Sequence, residues 1–245
     1  IDRGDALNKL INFLFYILIV NIIVSFLLIV DINSDNGNIE ESSILEAISS
    51  NDNYNLIVQI LKDTHKEDFI KYIDYMQLEI HKTIESDPNN FTAFTITLPQ
   101  NKCFIAFYKK NKDATYSFDC IVDNLEKVDD FYFYKDFLVI EQNLENKDNY
   151  LNHKKFIEIF YKDKFTYESK LKKDLYIELE NFESDNKNTL SATMDFLDDI
   201  PPKILYVCTT SNSNSDLPKE ISKELYIWDD SLNQFIINKN NNLIK

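Results

Sequence analysis

The sequence predicts an α+β chain: an N-terminal transmembrane helix followed by a soluble domain dominated by antiparallel β-sheet, with a few helices. Three observations carry this reading. The run Leu10–Val30 (LINFLFYILIVNIIVSFLLIV) holds no charged residue. Apolar residues alternate with period two through a stretch spanning 91–122. Between Ser43 and Ile84 they recur at helical spacing instead.

A helix over Leu10–Val30 would reach about 30 Å at 1.5 Å per residue, the thickness of a hydrocarbon core. Ile, Leu, Val and Phe go all the way round, without the polar stripe of a surface helix. A cleaved signal would have a shorter apolar stretch and small residues at the cut, which Leu28–Asn33 lacks. Arg3 and Lys9 precede the run, while Asp31, Asp35, Glu40, Glu41 and Glu46 follow it. The positive flank places the N-terminus in the cytoplasm and the rest outside it or in a lumen, as a signal-anchor does. Secretion after signal cleavage is the alternative. The expected organisation is therefore an anchor segment over 1–30, a polar tether over 31–43, one α+β domain over 44–238 and a frayed tail over 239–245.

Within the domain, Ser43–Glu46 fits a capping box ahead of a short helix, and SSNDN at 49–53 interrupts it. Tyr54, Ile57, Val58 and Leu61 mark a second helix. Thr64–Glu67 fits another capping box, and Phe69, Ile73, Met76, Ile80 and Ile84 form a long helical stripe read as a core face. The alternating strands then make a meander. A loop at Pro99–Lys102 would set Leu98 against Cys103, and a loop at Asn111-Lys112 would set Phe107 against Tyr116 and Cys103 against Cys120. That register collects nine side chains on one face. Phe131–Ile140 reads as one or two strands, and Lys155–Glu168 as a hairpin. Leu175–Leu179 reads as a strand, Thr189–Leu197 as a helix, Ile204–Thr209 as a buried strand and Leu225–Asn238 as a last hairpin.

Composition excludes more than it identifies. Formal net charge is -15, which disfavours phosphate-backbone binding. Glycine occurs only at Gly4 and Gly37, so the domain has no Walker loop, dinucleotide turn, nucleophile elbow or standard EF-hand. Turns must use Asn, Asp and Pro. Arg3 is the single arginine, which removes bidentate clamps. Codon bias of an AT-rich genome accounts for this composition without a functional cause.

Candidate sites are few. Cys103 and Cys120, opposite each other in the expected register, could form a disulfide in an oxidising compartment. The alternative is two small apolar residues in a sheet core. Asn90-Phe91-Thr92 is a glycosylation sequon. His65, His81 and His153 have no metal-ligand spacing, and Asp195, Asp198 and Asp199 read as solvated acids before Pro201. No catalytic, cofactor-binding or metal-binding residue is assigned, and neither nucleotide nor nucleic acid is expected as a partner. The function expected is therefore protein interaction, as an assembly or accessory subunit held at the membrane through residues 10–30. The alternatives are a carboxylate-based hydrolase, or a soluble subunit of a large complex with the 10–30 helix buried between subunits.

Overall fold

The structure is a computed structural model, and it describes residues 37–50, 52–81, 91–144, 151–163, 166–181, 186–212 and 220–238. Among the described residues the fold is mostly antiparallel β-sheet, in two sheets, with three short helices. Strands β1 (Ile39–Glu40), β2 (Gln77–His81), β3 (Phe91–Thr97), β4 (Cys103–Lys110) and β5 (Thr115–Leu125) form one sheet in the order β1-β5-β4-β3-β2. Strands β6 (Lys127–Tyr134), β7 (Phe137–Leu144), β8 (Leu151–Asp163), β9 (Thr166–Asn181), β10 (Asn186–Leu197), β11 (Lys203–Asn212), β12 (Glu220–Asp229) and β13 (Gln234–Ile237) follow as an eight-stranded meander. Helices α1 (Glu41–Ser50) and α2 (Tyr54–Asp63) and a 3₁₀ helix (Glu67–Tyr75) are the helical elements among the described residues.

The expected span, Leu10–Val30, lies outside the described residues. Among those residues no helix is long and apolar enough to cross a membrane. The N-terminal transmembrane helix of the expected fold class is corrected on that ground. The single-pass topology, with a cytoplasmic N-terminus and an extracytoplasmic or lumenal domain, goes with it. No compartment is assigned.

The core is layered. One face of the five-stranded sheet buries Phe94, Ile96, Phe104, Ala106 and Tyr108 under Ile44, Ala47, Leu56, Ile57, Ile60 and Leu61 of the two helices. Its other face sets Ala93, Cys103, Ile105, Phe107, Cys120 and Val122 against Phe131, Leu138, Ile140 and Phe160 of the meander. The meander then rolls up. Phe137, Val139, Ile157 and Ile159 on β7 and β8 pack against Ile204, Tyr206, Tyr226, Trp228 and Phe235 on β11 to β13. The ring centroids of Phe137 and Trp228 are 4.8 Å apart.

The three-strand meander β3–β5 stands, but in another register. Thr97 pairs with Cys103, one residue from the expected alignment. The next turn spans 111–114 rather than two residues, and bulges shift the ladder so that Phe107 opposes Cys120 and Cys103 opposes Leu125. The nine side chains therefore divide between faces. Phe94, Ile96, Leu98, Tyr116 and Phe118 turn to the helices, and Cys103, Ile105, Phe107 and Cys120 to the meander. The physical reason is that Cys103–Tyr108 is buried at every position. A one-residue slip in a strand apolar on both faces exposes nothing, so alternation does not hold its register.

Two expected helices are strands, one in part and one throughout. The stripe from Phe69 breaks at Met76, whose backbone is extended, and continues as β2; Ile84 lies outside the described residues. Thr189–Leu197 belongs to β10, paired along its length with β11. The Thr64 box is instead the end of α2: the Thr64 hydroxyl donates to the Ile60 carbonyl at 2.7 Å. α1 begins at Glu41, before the Ser43 box. The 155–168 hairpin, the 131–140 strands and the last hairpin match β8–β9, β6–β7 and β12–β13. Left-handed backbone falls on Asn101, Asn124 and Asn233, but also on His65, Gln100, Ala114 and Lys135.

Candidate functional site

Three side-chain clusters and the exposed helical layer could carry chemistry or recognition; exposed aliphatic side chains also lie at Ile200 and, around the β12–β13 hairpin, at Ile221, Leu232, Ile236 and Ile237. The deepest cluster is Asp63 at the end of α2, 1% exposed. Tyr108 of β4 donates its hydroxyl to Asp63 Oδ2 at 2.7 Å, and Gln59 donates to Oδ1 at 2.8 Å. Burial lifts the Asp63 carboxyl above its ordinary value, and the two hydrogen bonds and nearby His65 and Lys62 only partly oppose that. Burial and the same carboxylate push the Tyr108 phenol upward. Each oxygen of Asp63 is engaged by its own chain, so the pair ties α2 to the sheet.

A second cluster joins the two sheets. Lys162 of β8 pairs with Asp119 of β5, and its ammonium lies 5.3 Å from the Phe91 ring centre and 5.6 Å from that of Tyr167. Burial lowers the Lys162 ammonium, but Asp119 and Cys120 more than restore it. Cys120 Sγ donates to Asp119 at 3.1 Å. Burial above all, then that bond, pushes the thiol up to about 12. A thiol so placed is no nucleophile at neutral pH. Cys103, Cys120 and Cys208 are all free and buried, and the first two are not opposite each other.

The third lies inside the roll. Lys173 of β9 reaches Glu224 of β12 at 2.6 Å and sits 5.0 Å from the ring centres of both Tyr206 and Tyr226. Tyr226 donates its hydroxyl to the same Glu224 oxygen, and Tyr206 donates to the Asp174 carbonyl at 2.7 Å. Burial opposes the charge on Glu224, yet Lys173 and Tyr226 hold its carboxyl below the ordinary range. This is a charge-compensated joint between β9 and β12 rather than an acid–base pair set apart in pKa.

The hydrolase reading requires two converging carboxylates with raised values. Burial raises the Asp63 carboxyl, but its partners are Tyr108 and Gln59 rather than a second carboxylate. Asp198 accepts from Tyr134 at 3.1 Å, and Asp199 pairs with Lys203 at 2.9 Å, while Asp195 lies within the β10 ladder. Among the described residues no group of three or more His, Cys, Asp or Glu is placed to hold a metal ion. His81 faces Thr95 Oγ1 at 3.0 Å and packs on Phe131. His153 packs on Tyr176, and His65 ends the turn after α2. Asn90 lies outside the described residues.

The surface is the outer side of the helical layer. Leu45 and Ile48 of α1 are 56% and 47% exposed, and Tyr54 at the start of α2 is 52% exposed. Tyr72 and Tyr75 of the 3₁₀ helix are exposed as well, Tyr75 to 75%. Every exposed aromatic residue among the described residues is therefore in this layer. In α1 the apolar arc is wider than the face it buries. Ile44 and Ala47 cover the sheet, and Leu45 and Ile48 extend the arc into solvent. A surface helix normally carries polar residues there. In comparison with known proteins, no family model, no curated protein and no solved structure matches this chain.

Proposed function

We propose that the chain is a protein-interaction subunit, an assembly or accessory component that contacts its partner through the outer side of the helical layer. The observation that carries this reading is the gathering of Tyr54, Tyr72 and Tyr75 with Leu45 and Ile48 on one layer. Tyrosine offers a large contact area and a hydroxyl for little loss of rotamer freedom, and aromatic residues are enriched at the cores of interfaces. Leaving two aliphatic side chains exposed on one helix gains nothing for an isolated fold, because covering them with a partner is favourable by about 25 cal/mol per Å².

The test is quantitative affinity capture from the source cells, with the described fold as bait and a Leu45→Ser/Ile48→Ser/Tyr54→Ser variant beside it. A specific protein retained by the first and lost from the second supports the reading. Capture that is identical for both baits, with the variant folded by circular dichroism, refutes it.

A further inference from the structure

From the charges around this layer we infer that its partner presents a cationic amphipathic helix, with lysines or arginines beside an apolar stripe. The inference rests on the interaction reading above and adds the chemistry of the partner. Residues 37–81 carry nine carboxylates against three lysines, whereas the whole chain has 41 against 26 basic residues. Two of those lysines are already engaged. Lys66 pairs with Asp123 at 2.6 Å, and the Lys71 ammonium leans over the Tyr72 ring at 5.0 Å.

The exposed acids sit next to the exposed apolar groups in the chain. Glu46 lies between Leu45 and Ile48, Asp52 precedes Tyr54, and Glu67, Asp68 and Asp74 flank Tyr72 and Tyr75. Among the described residues none of Glu46, Asp52, Glu67, Asp68 and Asp74 makes an ion pair with a lysine. Exposed apolar groups with carboxylates beside them in the chain, none paired with a lysine, attract a cationic partner and repel an anionic one.

The secondary structure of the layer selects the shape of that partner. A strand would need a sheet edge with free backbone groups, but α1, α2 and the 3₁₀ helix spend theirs within their own turns. Leu45 and Ile48 stand three residues apart and form a ridge of the kind a second helix packs against.

Two synthetic probes test this: an 18-residue Leu/Lys peptide with leucines at i, i+3, i+4 and i+7, and its Leu/Glu counterpart, each titrated by calorimetry at two salt concentrations. The expected result is that only the Leu/Lys peptide binds. Its affinity should fall at least fivefold from 50 to 300 mM salt, and amide exchange should slow in α1 and the 3₁₀ helix. Leu45→Ser/Ile48→Ser, and separately Glu46→Lys/Asp52→Lys, should each weaken binding about tenfold. Glu168→Lys, the same reversal on β9, should leave it within twofold. Preference for the Leu/Glu peptide, or no binding of either, overturns the inference while leaving the interaction reading to its own capture test. Binding of the Leu/Lys peptide that ignores both layer variants also overturns it, because attraction to the overall charge then accounts for the signal.

Discussion

Tyr108→Phe isolates the hydrogen bond that joins α2 to the first sheet. The substitution keeps the ring, whose neighbours Phe94 and Phe118 lie 5.3 and 5.6 Å away between centroids. It removes the hydroxyl that donates to Asp63 Oδ2 at 2.7 Å. The cost depends on the protonation of Asp63. Against a neutral carboxyl the lost bond is worth about 1 kcal/mol, and against a buried carboxylate about 2–3 kcal/mol, because a charged acceptor is left short of a donor. Burial holds the Asp63 value above that of the unfolded chain. The fold therefore prefers the protonated form, and the stability this contributes is present at low pH and lost as pH rises through the folded value. Removing Tyr108's hydroxyl removes an influence that lowers that value, so the loss on raising pH deepens. The expected cost is about 1 kcal/mol at pH 4 and about 2–3 kcal/mol at pH 8. With a urea slope near 3 kcal/mol/M, the pH 8 midpoint falls by about 0.7–1 M. Asp63→Asn should cost under about 1 kcal/mol at pH 8, since an amide can accept from Tyr108 and donate to a turned Gln59 amide. In that background Tyr108→Phe should lose its pH dependence. An equal cost of Tyr108→Phe at both pH values would refute a change in the protonation of Asp63 between pH 4 and pH 8.

Three further outcomes are expected. Burial holds the His81 imidazole below its ordinary value, with Glu79 and Asp130 opposing. The fold thus favours neutral His81, its contribution is complete above the unfolded value near 6.5, and it declines as pH falls below that. Thermal unfolding of His81→Gln should show a shallower loss between pH 7 and 5, and an unchanged slope would exclude His81 as the source. All three thiols should resist an aromatic disulfide reagent in the native protein and react after unfolding without reductant; recovery of only one thiol would mean that two are bonded. Ala114 holds φ 61 in the β4–β5 turn, where its side chain is disfavoured. Ala114→Gly should therefore stabilise the protein by about 0.5–1 kcal/mol in urea, and a destabilised variant would contradict the assigned backbone.

The elements that could be read from the sequence share one property: a single side of each is apolar and short turns bound it. The β12–β13 hairpin around 229–233 and the β8–β9 pair were legible on those grounds. β10 was not. Leu190, Ala192, Met194 and Phe196 alternate inward against the roll, but Ala, Met and Leu are strong helix formers, and local preference competes with pairing that only β9 and β11 supply. The stripe Phe69, Ile73, Met76 and Ile80 misled in the other direction. Spacings of three and four suit a helix, yet Phe69, Met76 and Ile80 all reach the helix-side core from a 3₁₀ helix followed by an extended edge strand.

The exposed apolar surface of the helical layer was illegible for a reason that also bears on the proposed function. β4 is buried on both faces, between the helices and the meander, and so is the start of β7, between the first sheet and β11 to β13. A sheet covered on both faces has no face left for a partner, so the proposed contact would have to use an outer layer. In α1 the residues Ile44, Leu45, Ala47 and Ile48 are all apolar, and nothing in their order says which pair the sheet will cover. Packing against Ile39, Leu56 and Ile57 takes Ile44 and Ala47, and Leu45 and Ile48 remain in solvent. The glycine-poor, lysine-for-arginine composition conceals the same surface, since tyrosines and carboxylates are spread through the whole chain. Only the fold separates Tyr54, Tyr72 and Tyr75, left exposed beside unpaired acids, from Tyr108, Tyr206 and Tyr226, spent on internal hydrogen bonds. If the exposed three can be replaced by serine without loss of a partner while the buried three cannot be replaced without loss of the fold, then the exposed tyrosines do not carry the proposed contact.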